Sequence, residues 1–263
     1  MSKFKTYICC IFYLAFSISF AQTIKQDKFE SEDAQEQQEY EKEFTYGINW
    51  NTNGGIVGGV DFKFAWQTKS NQLIYNLIGI EIGHVVHPKE RPWAGANRFG
   101  SSYILGKSTN MFVVRPHIGR EWVIFKKAEE EGIQVSGILA AGPSLAYLKP
   151  YYVTYQTEYP EVIDGTTTTS YNFETLPFDP SIKDKEIAGG ASILRGFDEM
   201  KAYLGVHAKA SLNFEYGKSG GSVGGIEVGT MFEQFGSKII IIPEAQNQSF
   251  YASLFINLYF GIR

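Results

Sequence analysis

The chain has 263 residues, with 24 Lys+Arg against 28 Asp+Glu and a formal net charge of −4. That balance provides no basic excess for a polyanion, which excludes nucleic acid as a charge-driven partner. With 20 Phe, 16 Tyr and 27 Gly against 9 Pro, the composition points to many strands joined by tight turns.

The first element is a targeting segment. Lys3 and Lys5 precede an uncharged, largely apolar run from Tyr7 to Phe20, followed by Ala21. Positive region, apolar region and small residues in that order read as a signal peptide over 1–21, cut after Ala21. The run is shorter than the ~20 residues a spanning helix requires. Cys9 and Cys10, the chain's two cysteines, both lie inside it. The mature chain is then expected to begin at Gln22 without a disulfide, a thiolate nucleophile or a cysteine metal site. Residues 22–43 are glutamine-rich and acidic with little to bury, and read as a periplasmic tail.

From Phe44 the hydrophobic period changes to two, the strand signature. Phe62, Phe64 and Trp66 share one face, opposed by Asp61, Lys63 and Ala65. Phe112, Val114, Ile118, Trp122 and Ile124 are opposed by Arg115, His117 and Glu121. Leu204, Val206, Ala208, Ala210, Leu212 and Phe214 are opposed by His207, Lys209, Ser211, Asn213 and Glu215, and Phe250 to Arg263 alternates in the same way. Several of these strands exceed the ~9–11 residues needed to cross a bilayer at a tilt. In lipid, a spanning sheet must close so that no backbone group is left unpaired, with an apolar outside and a polar lumen. The expected fold is all-β: an antiparallel closed transmembrane β-barrel of 8–10 strands over 44–263, in the outer membrane. Trp50, Trp66 and Trp122 suit the interfacial girdles, whereas Trp93 falls in a loop.

Nine strands can be placed, at 44–52, 55–67, 72–87, 101–108, 111–125, 133–148, 200–216, 223–235 and 249–262. Barrels of this kind have even strand numbers. Ten is favoured, with Tyr151 to Glu158 as the tenth strand and Lys149-Pro150 at a periplasmic turn; eight is the alternative. Short turns are expected at 53–55, 68–71, 108–110, 126–132 and 217–222. His87 to Ser102 and Pro150 to Gly196 are long loops, the second containing Thr166 to Thr169.

The signal segment, the alternating strands, the stretch Gly142-Pro143-Ser144-Leu145-Ala146-Tyr147-Leu148-Lys149-Pro150 and the ending Asn257-Leu258-Tyr259-Phe260-Gly261-Ile262-Arg263 resemble the small outer-membrane β-barrel proteins of Bacteroidota. The resemblance is one of pattern over 44–263. It implies a membrane barrel and no particular activity.

Candidate chemistry is sparse. His84 and His87 point to opposite sides of a strand, so no metal site is expected. Gly54-Gly55, Gly58-Gly59 and Gly220-Gly221 do not match a phosphate loop, and no cofactor is expected. Arg115, His117, Glu121, His207, Lys209, Ser211 and Glu215 form a polar lumen network, the ordinary filling of a narrow barrel. His207 and Ser211 on one face also offer the elements of acyl transfer. The expected function is a non-enzymatic barrel, structural or a subunit of an envelope complex for secretion or outer-membrane assembly. Its partners would be outer-membrane lipid and envelope proteins met through the long loops or acidic tail. A small pore or transporter, and an enzyme acting on lipid or lipopolysaccharide, are the alternatives.

Overall fold

In the computed structural model the described residues are 41–55, 57–69, 71–95, 101–126, 132–163, 166–182, 185–216 and 221–263. The expected signal peptide, nearly all of the acidic tail, and residues 70, 127–131 and 217–220 of three expected turns lie outside them. The strands are β1 (Lys42–Asn51), β2 (Gly59–Thr68), β3 (Asn71–Val85), β4 (Pro92–Trp93), β5 (Tyr103–Ile104), β6 (Thr109–Phe125), β7 (Ile133–Pro150), β8 (Tyr152–Ile163), β9 (Thr166–Pro177), β10 (Glu186–Gly190), β11 (Lys201–Tyr216), β12 (Ser222–Phe235) and β13 (Phe250–Ile262).

Eight of these strands close into a barrel in the order β1-β13-β12-β11-β7-β6-β3-β2. All wall pairings are antiparallel, and β1 pairs with both β2 and β13, so the sheet has no edge. Closure satisfies the ladder groups that lipid would leave unpaired. The side-chain alternation follows the pleat. Phe44, Tyr46, Ile48 and Trp50 of β1 face outward, as do Leu254, Ile256, Leu258, Phe260 and Ile262 of β13. Thr45, Asn49, Ser253, Asn257 and Tyr259 on the same two strands are buried in the lumen. An apolar exterior around a polar interior makes the protein an outer-membrane β-barrel.

β1 begins and β13 ends at the same end of the barrel, the end that also carries the connections β2–β3, β6–β7 and β11–β12. The longer segments 86–108, 151–200 and 236–249 lie at the other end. Short periplasmic turns and long outer loops assign the second end to the cell exterior.

Several expectations are corrected. The wall has eight strands, not the favoured ten. Of the expected strand 101–108, only the two residues of β5 are extended, paired with β4 in the outer loop. Tyr151 to Glu158 is extended, but as part of β8 in a separate sheet of order β10-β8-β9 outside the wall. Lys149-Pro150 accordingly sits at the outer end of β7, and 108–110 leads into β6 instead of turning. Local alternation is the same for a strand in a barrel wall and a strand in an extracellular sheet, which is why the sequence could not separate them.

Candidate functional site

The lumen is filled in layers, and its outer mouth is apolar. Val85, Met111, Val113, Ala146, Leu148 and Phe235 point inward from the outer ends of the wall strands. Ile239, Ile241 and Ile242, from the segment joining β12 to β13, fill the space between them, and Ile239 and Ile241 are fully buried. Backbone bonds hold the segment in place: Ser108 N donates to the Ile241 carbonyl at 2.9 Å, and Ile239 N to that of Gln248 at 2.9 Å. The Asn247 side chain clasps the bend, accepting from Ile241 N at 2.9 Å and donating to the Ile242 carbonyl at 2.8 Å. Beside this plug Lys107 Nζ meets Glu90 Oε2 at 2.6 Å; burial holds the ammonium below the usual lysine range, against the pull of Glu90.

Beneath the plug lies an ion network. Arg115 donates from Nε and Nη2 to the two Glu233 oxygens at 2.8 and 2.9 Å, and from Nη1 to Glu81 at 2.8 Å. Its planar fork makes the bidentate match that a lysine could not. Lys209 Nζ lies between Asp61 at 3.7 Å and Glu227 at 3.8 Å, 5.2 Å from the centre of the Phe255 ring. Lys63 Nζ is 3.8 Å from Glu121 and 5.3 Å from the centre of the Tyr259 ring. Glu121 also accepts from Ser136 at 2.5 Å and from Asn213 at 3.1 Å, and Asn213 accepts from Tyr259 at 2.8 Å. At the periplasmic end Arg263 reaches Glu43 at 2.9 Å and Glu215 at 2.5 Å. Each charge taken from water in this narrow interior is set against an opposite charge, which such burial requires.

All seven residues read from the sequence as lumen residues are buried in the interior: Arg115, His117, Glu121, His207, Lys209, Ser211 and Glu215. They do not form one cluster. Ser211 donates to Glu227 at 2.6 Å, whereas His207 Nδ1 lies 3.1 Å from Ser144 Oγ. The Ser211–His207 pair that acyl transfer would use is therefore not assembled. The two residues share a face of β11 but are four positions apart, about 13 Å along a strand. Glu81, Glu233, Glu227 and Ser144 are among the partners of the seven; each lies on an inward face by alternation, but the pairings run between strands and no local pattern announces them.

One stretch of wall is unusual. The β6–β7 ladder joins Val114 to Leu145 and Ile118 to Ala141 but is interrupted between them, where Pro116 stands opposite Pro143. Proline has no N–H, so the ladder breaks there without leaving an orphan donor in the membrane. A Cβ on Gly142 would stand 2.0 Å from the Pro116 carbonyl oxygen, so only glycine fits beside it. In register, Gly142 lies between His117 and His207, and across it the two imidazoles meet edge-on at 6.0 Å. His117 Nδ1 is 3.1 Å from the Arg115 carbonyl, an acceptor, so Nδ1 carries the proton. Neither Nε2 has a hydrogen-bond partner among the described residues. Those residues also contain no group of three or more His, Cys, Asp or Glu that could hold a metal ion.

No family model matches the chain, and no curated protein matches it. Among solved structures it is similar to Neisserial surface protein A (NspA), at 7% identity with TM-score 0.35, covering 84% of this chain and 94% of that one. It is also similar to Ail, the attachment invasion locus protein of Yersinia pestis, at 9% identity with TM-score 0.35, covering 84% of this chain and 95% of that one. Ail in complex with the heparin analogue sucrose octasulfate matches at 10% identity and the same TM-score and coverage.

Proposed function

We propose that the protein is a closed, non-enzymatic outer-membrane barrel that serves as a structural subunit of an envelope assembly, holding an extracellular sheet at the cell surface. The observation carrying this reading is the mouth: Ile239 and Ile241 are fully buried beneath the outer loops, above a network in which Arg115 holds Glu81 and Glu233. A wet pore needs a continuous polar path, and an apolar plug interrupts one. Below it Ser144 and His207 are buried. What the fold leaves exposed is the exterior: the apolar belt, which meets lipid, and the segment 151–200, whose strands β8, β9 and β10 form a sheet of their own.

Affinity purification from detergent-solubilised outer membranes, with a tag behind the expected cleavage site at Ala21, tests this role. A stoichiometric envelope protein that is lost when 151–200 is replaced by a short turn is the expected result. A barrel that purifies without any other envelope protein, under solubilisation that preserves known complexes, overturns the subunit role.

A further inference from the structure

The sheet outside the wall ends on an open edge. β9 pairs with β8 on one side, and among the described residues no strand pairs with its other side. Most exposed edges carry a guard: a charge, a proline, a bulge or a covering loop. From Thr166 to Phe173 there is no charged residue and no proline, and all eight side chains are exposed or half-exposed. Threonine and aromatic residues dominate the stretch, and both favour strands. The nearest charge is Glu161 of β8, whose carboxylate accepts from Ser170 within its own sheet, and beyond the stretch Arg195 Nη1 donates to the Thr175 carbonyl at 3.3 Å. Glu174, the strand's one charge, is already paired with Lys185 at 2.6 Å.

We infer that this edge is a homotypic interface, on which β9 of a second copy of the chain adds antiparallel to β9 of the first. In a self-paired antiparallel ladder, paired residues must be an even number of positions apart, so the two-fold axis passes through a residue. With Arg195 closing the edge at Thr175, the open stretch 166–174 centres on Ser170. That register sets Thr166 against Glu174, Thr167 against Phe173, Thr168 against Asn172 and Thr169 against Tyr171. No like charges stand directly opposite one another, each Glu161 carboxylate being held by the Ser170 of its own copy, and both aromatics lie opposite a β-branched threonine, a favourable cross-strand pair. The alternating pleat places Tyr171 and Phe173, both about half exposed, on one face of the joined sheet. The inference concerns the arm alone and stands whether or not the barrel has other partners.

Disulfide trapping tests it in the full chain carrying Cys9→Ser and Cys10→Ser, reconstituted in lipid bilayers. At the axis the two Cα atoms would lie about 4.5–5.5 Å apart, within disulfide range. Ser170→Cys is expected to give a crosslinked dimer at least tenfold faster than Leu105→Cys, an exposed control elsewhere on the outer loops. Thr167→Cys mixed with Phe173→Cys should crosslink as a hetero-pair, while each alone does so at the control rate. Adding Ser170→Lys, which sets two ammonium groups face to face at the axis, should abolish the hetero-pair. If Ser170→Cys crosslinks no faster than the control while the barrel remains folded by heat-modifiable gel mobility, the interface is refuted and the closed-barrel reading is untouched.

Discussion

Arg115 and Glu233, 118 residues apart in sequence, meet in the lumen through two parallel hydrogen bonds of 2.8 and 2.9 Å. The remaining Arg115 contact goes to Glu81, so one guanidinium ties β3, β6 and β12 across the interior. Removing it strands two buried carboxylates. Arg115→Met is therefore expected to destabilise the barrel by about 3–5 kcal/mol, the usual cost of breaking a buried pair. Urea unfolding in detergent checks this. Glu81→Gln and Glu233→Gln in the Arg115→Met background should recover part of the loss, because the carboxylates no longer lack a partner.

The plug should behave as a packed core. Ile239→Ala and Ile241→Ala each remove a fully buried side chain from a layer built with Met111, Val113 and Phe235. Each should cost about 2–5 kcal/mol if the cavity does not collapse. Because the segment joins wall strands without being one, much of that cost should appear as local opening. Protease cleavage between 236 and 249 in the folded protein is the readout, and cleavage as slow as wild type would show that the isoleucines do not hold the mouth closed.

Two glycines of β7 give opposite expectations. A methyl at Gly142 would lie 2.0 Å from the Pro116 carbonyl, a backbone atom that cannot swing aside, whereas one at Gly137 meets only Ile124 Cδ1 at 3.6 Å. Gly142→Ala should lower the unfolding midpoint or the folding yield, and Gly137→Ala should leave both near wild type. Equal behaviour would mean that the strands at the proline pair are not so closely set.

Orientation in the bilayer is also testable. Ile118 lies near the middle of β6 on the outer face and is 70% exposed, while Leu105 lies in an outer loop at 48%. Ile118→Arg should cost about 2–4 kcal/mol, as arginine at the midplane of a barrel does. Leu105→Arg should cost almost nothing. Refolding titrations into lipid vesicles separate the two.

Much of this architecture was legible in the chain because a barrel wall repeats one rule. Phe62 and Phe64 outside, Asp61 and Lys63 inside follow from alternation alone, and the same holds for Arg115, His117, His207 and Lys209. What alternation cannot state is which inward residue meets which. Arg115 with Glu233 and His207 with Ser144 depend on register and barrel closure. The rule also cannot separate wall from annex: Tyr152 to Ile163 has the pattern of a spanning strand yet pairs with β9 and β10 outside the barrel. The plug was illegible for the opposite reason, since the apolar run Ile239 to Ile242 is too short to show a period. The Pro116–Pro143 pair reads as two strand-breakers until the strands are placed side by side.

Closure of the lumen is the centre of this account, and conductance across planar lipid bilayers tests it most directly. Purified wild-type barrel, shown to be folded and inserted, is expected to give no unitary current steps over the voltage range in which porins conduct. Removing most of the plug by replacing 237–248 with a short glycine-serine turn should leave only the charged layer around Arg115 as a barrier, and brief openings should then appear. Stable, ohmic steps from the wild-type protein would contradict the account, because the apolar mouth and the ion network beneath it could not then both be closed.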